Sequence, residues 1–145
     1  MVKKSISTME RVVKKILFLC VANSARSQMA EGLARSILSE DFIIHSAGSK
    51  PSSVNPYAIQ VMNEIGIDIS KQRSKSVDDF NANDFDYIVT LCAEEICPFV
   101  NSEAKRLHWP FLDPANKSDS PEESINKFRK ARNEIGEKIK SYFCS

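Results

Sequence analysis

The sequence predicts an α/β domain of three layers, with helices covering both faces of a parallel sheet, and three observations carry that prediction. Apolar, β-rich runs suited to strands buried on both faces alternate with stretches of helical apolar spacing. Alternation of this kind places consecutive strands parallel through right-handed crossovers. The residues that bear chemistry, Cys20, Cys92 and Asp113, each fall just after one of the strand runs, where ligands of parallel sheets bind. A chain of 145 residues is long enough for one such core and gives no sign of a second.

The elements follow in order. Residues 1–13, rich in Lys, Ser and Thr, read as a flexible N-terminal extension, and residues 14–145 as the single folded domain. Lys15-Ile16-Leu17-Phe18-Leu19 has the continuous apolar character of a central parallel strand. After a turn, Ala25, Met29, Leu33 and Ile37 recur at helical spacing. Asp41 to His45 is a short β-branched strand ending at Ala47-Gly48, followed by a polar turn over 49–53. Asn55 and Pro56 are the N-cap and first residue of a second helix, with Ile59, Met62 and Ile65 as its apolar stripe and Gly66 as its end. Asp86 to Leu91 is a further buried strand, and Lys105 to Trp109 a weaker fourth one; the loop between them carries Cys92 and Cys97. Ser120-Pro121-Glu122-Glu123 is a capping box opening a long closing helix whose stripe is Ile125, Phe128, Arg132, Ile135 and Ile139.

Composition narrows the function classes. Twenty basic against 19 acidic residues leave a formal net charge of +1, so the chain as a whole has no pull toward nucleic acid or an anionic membrane. No apolar stretch approaches the ~20 residues needed to span a bilayer, and Met1 to Lys15 lacks the apolar core of a signal peptide. The expectation is a soluble cytoplasmic protein, where four cysteines are catalytic or metal-binding rather than structural.

The turn Cys20-Val21-Ala22-Asn23-Ser24-Ala25-Arg26 is the densest chemical feature. Leading from a strand's carboxyl end into a helix, it aims successive backbone N–H groups and the positive end of the helix dipole into one cup. Phosphate-like oxyanions fit such a cup, lined by Val21 through Arg26 and Ser27. The Arg26 guanidinium forks onto two anion oxygens, the positive field favours a thiolate nucleophile at Cys20, and Ser27 can donate its hydroxyl to that sulfur. Asn23 suits the left-handed conformation a tight cradle needs.

Asp113-Pro114 follows the last strand, within reach of the cup, and suits general-acid delivery of a proton to a departing oxygen. Cys92-Ala93-Glu94-Glu95-Ile96-Cys97 matches neither a CxxC redox motif nor zinc spacing. It suits a relay of thiols that supplies the two electrons for reducing a pentavalent oxyanion such as arsenate. His45, His108, Trp109 and Cys144 are assigned no catalytic role, and no metal is required.

Together these residues resemble the low-molecular-weight tyrosine phosphatase superfamily, and within it the thioredoxin-coupled arsenate reductases. The resemblance covers roughly 14 to 143. It rests on Phe18-Leu19-Cys20 through Arg26-Ser27-Gln28-Met29-Ala30-Glu31-Gly32, Ser46-Ala47-Gly48, Gly66-Ile67-Asp68-Ile69-Ser70, Val89-Thr90-Leu91-Cys92 and Asp113-Pro114. It implies a four-stranded parallel sheet, a Cys20 nucleophile, Arg26 as transition-state clamp, Ser27 as thiolate stabiliser and Asp113 as general acid. Cys92 and Cys97 would be the second and third thiols, recycled by thioredoxin or a similar thiol donor. The resemblance also implies, for some members, a potassium ion near Asn23, Glu31, Ser46 and Asp68, with no tightly bound cofactor otherwise. The alternative activity is that of a tyrosine phosphatase working through a phosphocysteine at Cys20, with water resolving it. Ala115 after Pro114, where those phosphatases carry a tyrosine, and the distal cysteine pair favour the reductase.

Overall fold

The computed structural model describes residues 12–93 and 100–144. The sheet-forming strands are β1 (Lys14–Cys20), β2 (Phe42–Gly48), β3 (Tyr87–Cys92) and β4 (Lys105–Phe111), and the helices α1 (Arg26–Ile37), α2 (Pro56–Asn63) and α3 (Pro121–Phe143). All strand pairs are parallel, in the order β2-β1-β3-β4. The α/β class and the four-stranded parallel sheet therefore match the sequence's prediction. The extension over residues 1–13 falls almost wholly outside the described residues, as does Cys97.

Strand β1 is central, and its apolar run explains why: from Ile16 to Leu19 every side chain is fully buried, alternating between the two faces. Ile16 and Phe18 point to the side where α1, α2 and α3 pack, joining Met29, Leu33, Met62, Phe128 and Ile135 in one core. Leu17 and Leu19 point to the other, packing with Ala47, Phe85 and Ile88. There the cover comes from Val77, Phe80, Ala82, Val100 and Ala104, carried by two short 3-10 turns (Val77–Asp79 and Ala82–Asp84) and the neighbouring chain. Among the described residues, no helix is long and apolar enough to cross a membrane.

Three elements depart from the sequence reading, each for a physical reason. Strand β2 runs on through Ser46-Ala47-Gly48, whose small and polar residues hide a strand that pairing with Phe18, Leu19 and Cys20 imposes. In α2 the buried face is Ala58, Val61 and Met62; the helix stops at Asn63, so Ile65 falls beyond it and stays exposed. Gly66 takes φ +80° in the turn that follows, which glycine adopts without steric cost. Strand β4 extends through Pro110, which an edge strand tolerates because no neighbour needs its missing N–H.

The closing helix forms as read. Ser120 accepts from the Glu123 N–H and its own N–H donates to the Glu123 carboxylate. Phe128, Ile135 and Ile139 are fully buried, each contributing roughly 2 kcal/mol by removing apolar surface from water. Arg132, predicted on the same stripe, donates to the Val61 carbonyl and to Glu64, which ties α3 to the end of α2. Glu64 also receives Arg129, and hydrogen bonding by Arg129 is the main cause that holds its carboxyl down at about 2.

Candidate active site

The C-terminal edge of β1 places Cys20 at the rim of the sheet, opposite Gly48 of β2. From Cys20 the chain turns directly into α1, whose N-cap is Ala25 with no side-chain capping bond. A helix start capped by alanine leaves its first N–H groups to whatever occupies the space before it. That space is a cavity of about 160 Å³ lined by Cys20, Ala22, Ser24, Ala25, Arg26, Asp113 and Ala115.

The loop is held from outside. The N–H of Lys50 donates to the Val21 carbonyl, that of Ser52 to Ala22, and that of Asn55 to Ser24. The Asn23 carbonyl accepts from the Gln28 amide and the Ser74 hydroxyl. A trans peptide carries its carbonyl and the next N–H on opposite sides, so tethering four successive carbonyls outward turns the following N–H groups toward the concave side. Asn23 sits at φ +48°, the left-handed conformation anticipated for the cradle. Its side-chain oxygen accepts from Gln28 and from the Lys75 N–H, so the side chain and the carbonyl of this residue are both held.

These contacts continue to the Cys20 sulfur. The Asn23 amide donates to Ser27 Oγ at 2.7 Å and to Ser46 Oγ at 3.0 Å. Ser27 Oγ lies 2.9 Å from Cys20 Sγ. Either atom can donate in this contact; to a thiolate at Cys20, the Ser27 hydroxyl, which accepts from Asn23 as well, is the donor. Arg26 is 4% exposed; one guanidinium nitrogen donates to the Phe111 carbonyl at 2.9 Å and another faces the Asp113 carboxylate at 3.8 Å. Asp113 is about half exposed (49%), with one oxygen accepting from the Ala115 N–H. Cys20, Arg26 and Asp113 thus line one anion-sized space, with the buried Ser27 touching the Cys20 sulfur.

Cys92 ends β3, the strand beside β1, but is buried and does not line the cavity. It is disulfide-bonded, whereas Cys20 and Cys144 are free thiols. Cys97 lies outside the described residues. The residues assigned no role have structural ones. His45 packs on Phe80 and Phe85; burial first, and then Arg35, push its pKa down. His108 pairs with the Thr90 hydroxyl, and Trp109 joins Phe18, Tyr142 and Phe143 in an aromatic cluster.

Of the residues named for potassium, Asn23, Ser46 and Glu31 adjoin one another through hydrogen bonds. Asp68 is exposed and its carboxylate accepts from the Ser70 N–H. The side-chain oxygens of Asn23, Ser46 and Glu31 are already engaged by N–H and O–H donors, so these three do not form an open cation cage. Gln28, Gly48, Ser74 and Lys75 were not singled out for their contacts to the loop. Gln28 and Gly48 carried a signal, as members of the runs Arg26-Ser27-Gln28 and Ser46-Ala47-Gly48; Ser74 and Lys75 act through contacts to Asn23 from 51 and 52 positions along the chain.

A buried thiol at the start of a helix, with an arginine and an aspartate lining the same small cavity, defines an oxyanion-handling cysteine enzyme site. The chain belongs to the low molecular weight phosphotyrosine protein phosphatase family, whose model matches residues 15–145. It is 45% identical over 131 residues to the arsenate reductase of Halalkalibacterium halodurans, covering 89% of this chain and 94% of that protein. The crystal structure of an arsenate reductase from Archaeoglobus fulgidus superposes with a TM-score of 0.77 at 30% identity, covering 90% of this chain and 99% of that one. A thioredoxin-dependent arsenate reductase from Corynebacterium glutamicum superposes with a TM-score of 0.59 at 26% identity, over 89% of this chain and 63% of that one.

Proposed function

We propose that this chain is an arsenate reductase that works by a relay of Cys20, Cys92 and Cys97 and is recycled by a thioredoxin-like dithiol. Arsenate enters the cavity with its oxygens on Arg26 and the loop N–H groups. The Cys20 thiolate, steadied by Ser27, attacks arsenic while an oxygen departs as water with a proton from Asp113, leaving an arsenic(V) adduct on sulfur. Cys92, as thiolate, attacks the Cys20 sulfur. The electron pair of the sulfur–arsenic bond stays on arsenic, which leaves as arsenite, and Cys20 and Cys92 become a disulfide. Cys97 then attacks Cys92, freeing Cys20 and moving the disulfide onward, where the external dithiol returns it to two thiols. A reducing cytoplasm is the compartment that sustains such a cycle.

The observation that carries this reading is the pairing of the cysteines. Cys92, on the strand next to the nucleophile, is in a disulfide that includes neither Cys20 nor Cys144, the distribution expected once the relay has passed oxidation away from Cys20. A hydrolytic phosphatase has no use for Cys92. Because Cys92 is buried and off the cavity, its attack on Cys20 requires a rearrangement at the end of β3, where the register with β4 already shifts between Thr90 and Cys92. The test follows arsenate-dependent NADPH oxidation through thioredoxin and thioredoxin reductase in wild type and Cys92→Ser. Activity in the wild type and its loss in the variant is the expected result; an inert wild type, or a variant with full turnover, overturns the reading.

A further inference from the structure

Glu31 lies on the inner face of α1 with its carboxylate 3% exposed, and a carboxylate buried that deeply needs compensating charge. Two cations supply it. Arg35, one turn along the helix, pairs with one carboxylate oxygen. The Lys75 ammonium stands 3.4 Å from the other, on a side chain only 13% exposed. That second oxygen also accepts the Ser46 hydroxyl at 2.5 Å. From there hydrogen bonds run through Asn23 and Ser27 to Cys20 Sγ. Lys75 is fixed at the same point by its backbone, its N–H donating to Asn23 Oδ1 at 2.8 Å and its carbonyl accepting from Gly48.

The oxygens that a metal cation would take here are spoken for. Asn23 Oδ1 accepts from both Gln28 and Lys75, and the Asn23 carbonyl from Gln28 and Ser74. Ser46 Oγ receives the Asn23 amide and gives its proton to Glu31. The adjoining cavity presents Arg35, Lys71, Arg73 and Lys75 against two carboxylates, Glu31 and Asp68, a lining that repels a further cation.

We propose that the Lys75 ammonium is the built-in cation of the Asn23–Ser46–Glu31 cluster, so that this chain holds its nucleophile loop without a bound monovalent metal ion. Lys75 is a positioning residue: it neutralises Glu31, whose carboxylate orients Ser46 and through it the Asn23 amide that fixes Ser27. Burial lowers the Lys75 pKa and Glu31 raises it back in part, as expected for an ammonium that has exchanged water for a carboxylate. The inference does not rest on the arsenate reaction, because its readout is thermal stability.

The test compares melting in potassium chloride and in choline chloride at equal ionic strength. Wild type and Lys75→Arg should melt at the same temperature in both salts. Lys75→Met should melt lower in choline, by roughly 5 °C or more, and recover as potassium is added. A saturable, potassium-specific rise in the wild-type melting temperature overturns the proposal, as does a Lys75→Met protein that is unchanged in choline or is not rescued by potassium. If Lys75→Met does not fold, Glu31→Gln combined with Lys75→Met decides: with the carboxylate neutral, no cation is needed, and the double variant should fold and ignore potassium. A double variant as unfolded as the single one refutes the proposed charge pairing.

Discussion

Gly48→Ala tests whether the backbone beneath the nucleophile loop sets its geometry. A Cβ built on Gly48 falls 2.3 Å from the Val21 carbonyl oxygen, 2.9 Å from the Asn23 nitrogen and 3.0 Å from the Cys20 carbonyl oxygen. Ordinary contact begins at 3.4 Å, so the methyl must gain about 1 Å from the Val21 carbonyl, and all three obstacles are main chain. Gly48 cannot retreat, since it is paired with Cys20 on one side, bridged to Ser76 on the other, and hydrogen-bonded to Lys75. The shift therefore falls on Cys20 to Asn23. A misplacement of about 1 Å in a reacting group costs roughly 100-fold in rate, and overpacking of this kind costs about 1–3 kcal/mol of stability. Arsenate-dependent NADPH oxidation with the thioredoxin system gives the first quantity and denaturant unfolding the second. Gly66→Ala is the control: the added Cβ meets nothing within 4 Å, so the strain of its positive φ costs stability and leaves turnover intact. A Gly48→Ala protein with kcat within about twofold of wild type would refute the steric argument.

Two further outcomes follow from the same contacts. Ser27→Ala removes the hydroxyl proton directed at Cys20 and leaves the buried Asn23 amide one acceptor short; turnover should fall tenfold or more, with Cys20 alkylation by iodoacetamide slowed over the neutral pH range, and an unchanged alkylation rate would remove Ser27 from its role. Glu64 has its carboxyl depressed from 4.5 to about 2 by Arg129 and Arg132. A depressed carboxyl stabilises the fold above the unfolded value and loses that contribution as pH falls from about 4.5 toward 2. The melting-temperature gap between wild type and Glu64→Gln should therefore be full at pH 6 and close by pH 2; a gap independent of pH would contradict the assignment.

Much of the architecture was legible because it follows from local rules. The apolar run Ile16 to Leu19 is buried wherever it is placed, and the capping box at Ser120 closes on residues three positions apart. The part of β2 beyond His45 was not legible, since Ser46-Ala47-Gly48 has no strand propensity and is extended only because β1 pairs with it. The stripe of α2 was misread because its end is set by the turn at Gly66 rather than by the apolar period.

At the site, the grouping of Cys20, Arg26, Ser27 and Asp113 could be read from their order along the chain, because strand ends, a tight turn and a helix start bring them to one rim. By itself the sequence determined which atoms can do chemistry. What only the tertiary structure decided is how they are held: that Asn23 is pinned by Ser74 and Lys75, that Gly48 lies against the loop backbone, and that Glu31 meets the Lys75 ammonium across the fold. The physical reason is range. Nucleophilicity and charge belong to a residue's own type, whereas hydrogen-bond geometry and the neutralisation of a buried carboxylate depend on partners 44 to 52 positions away, which periodicity does not encode.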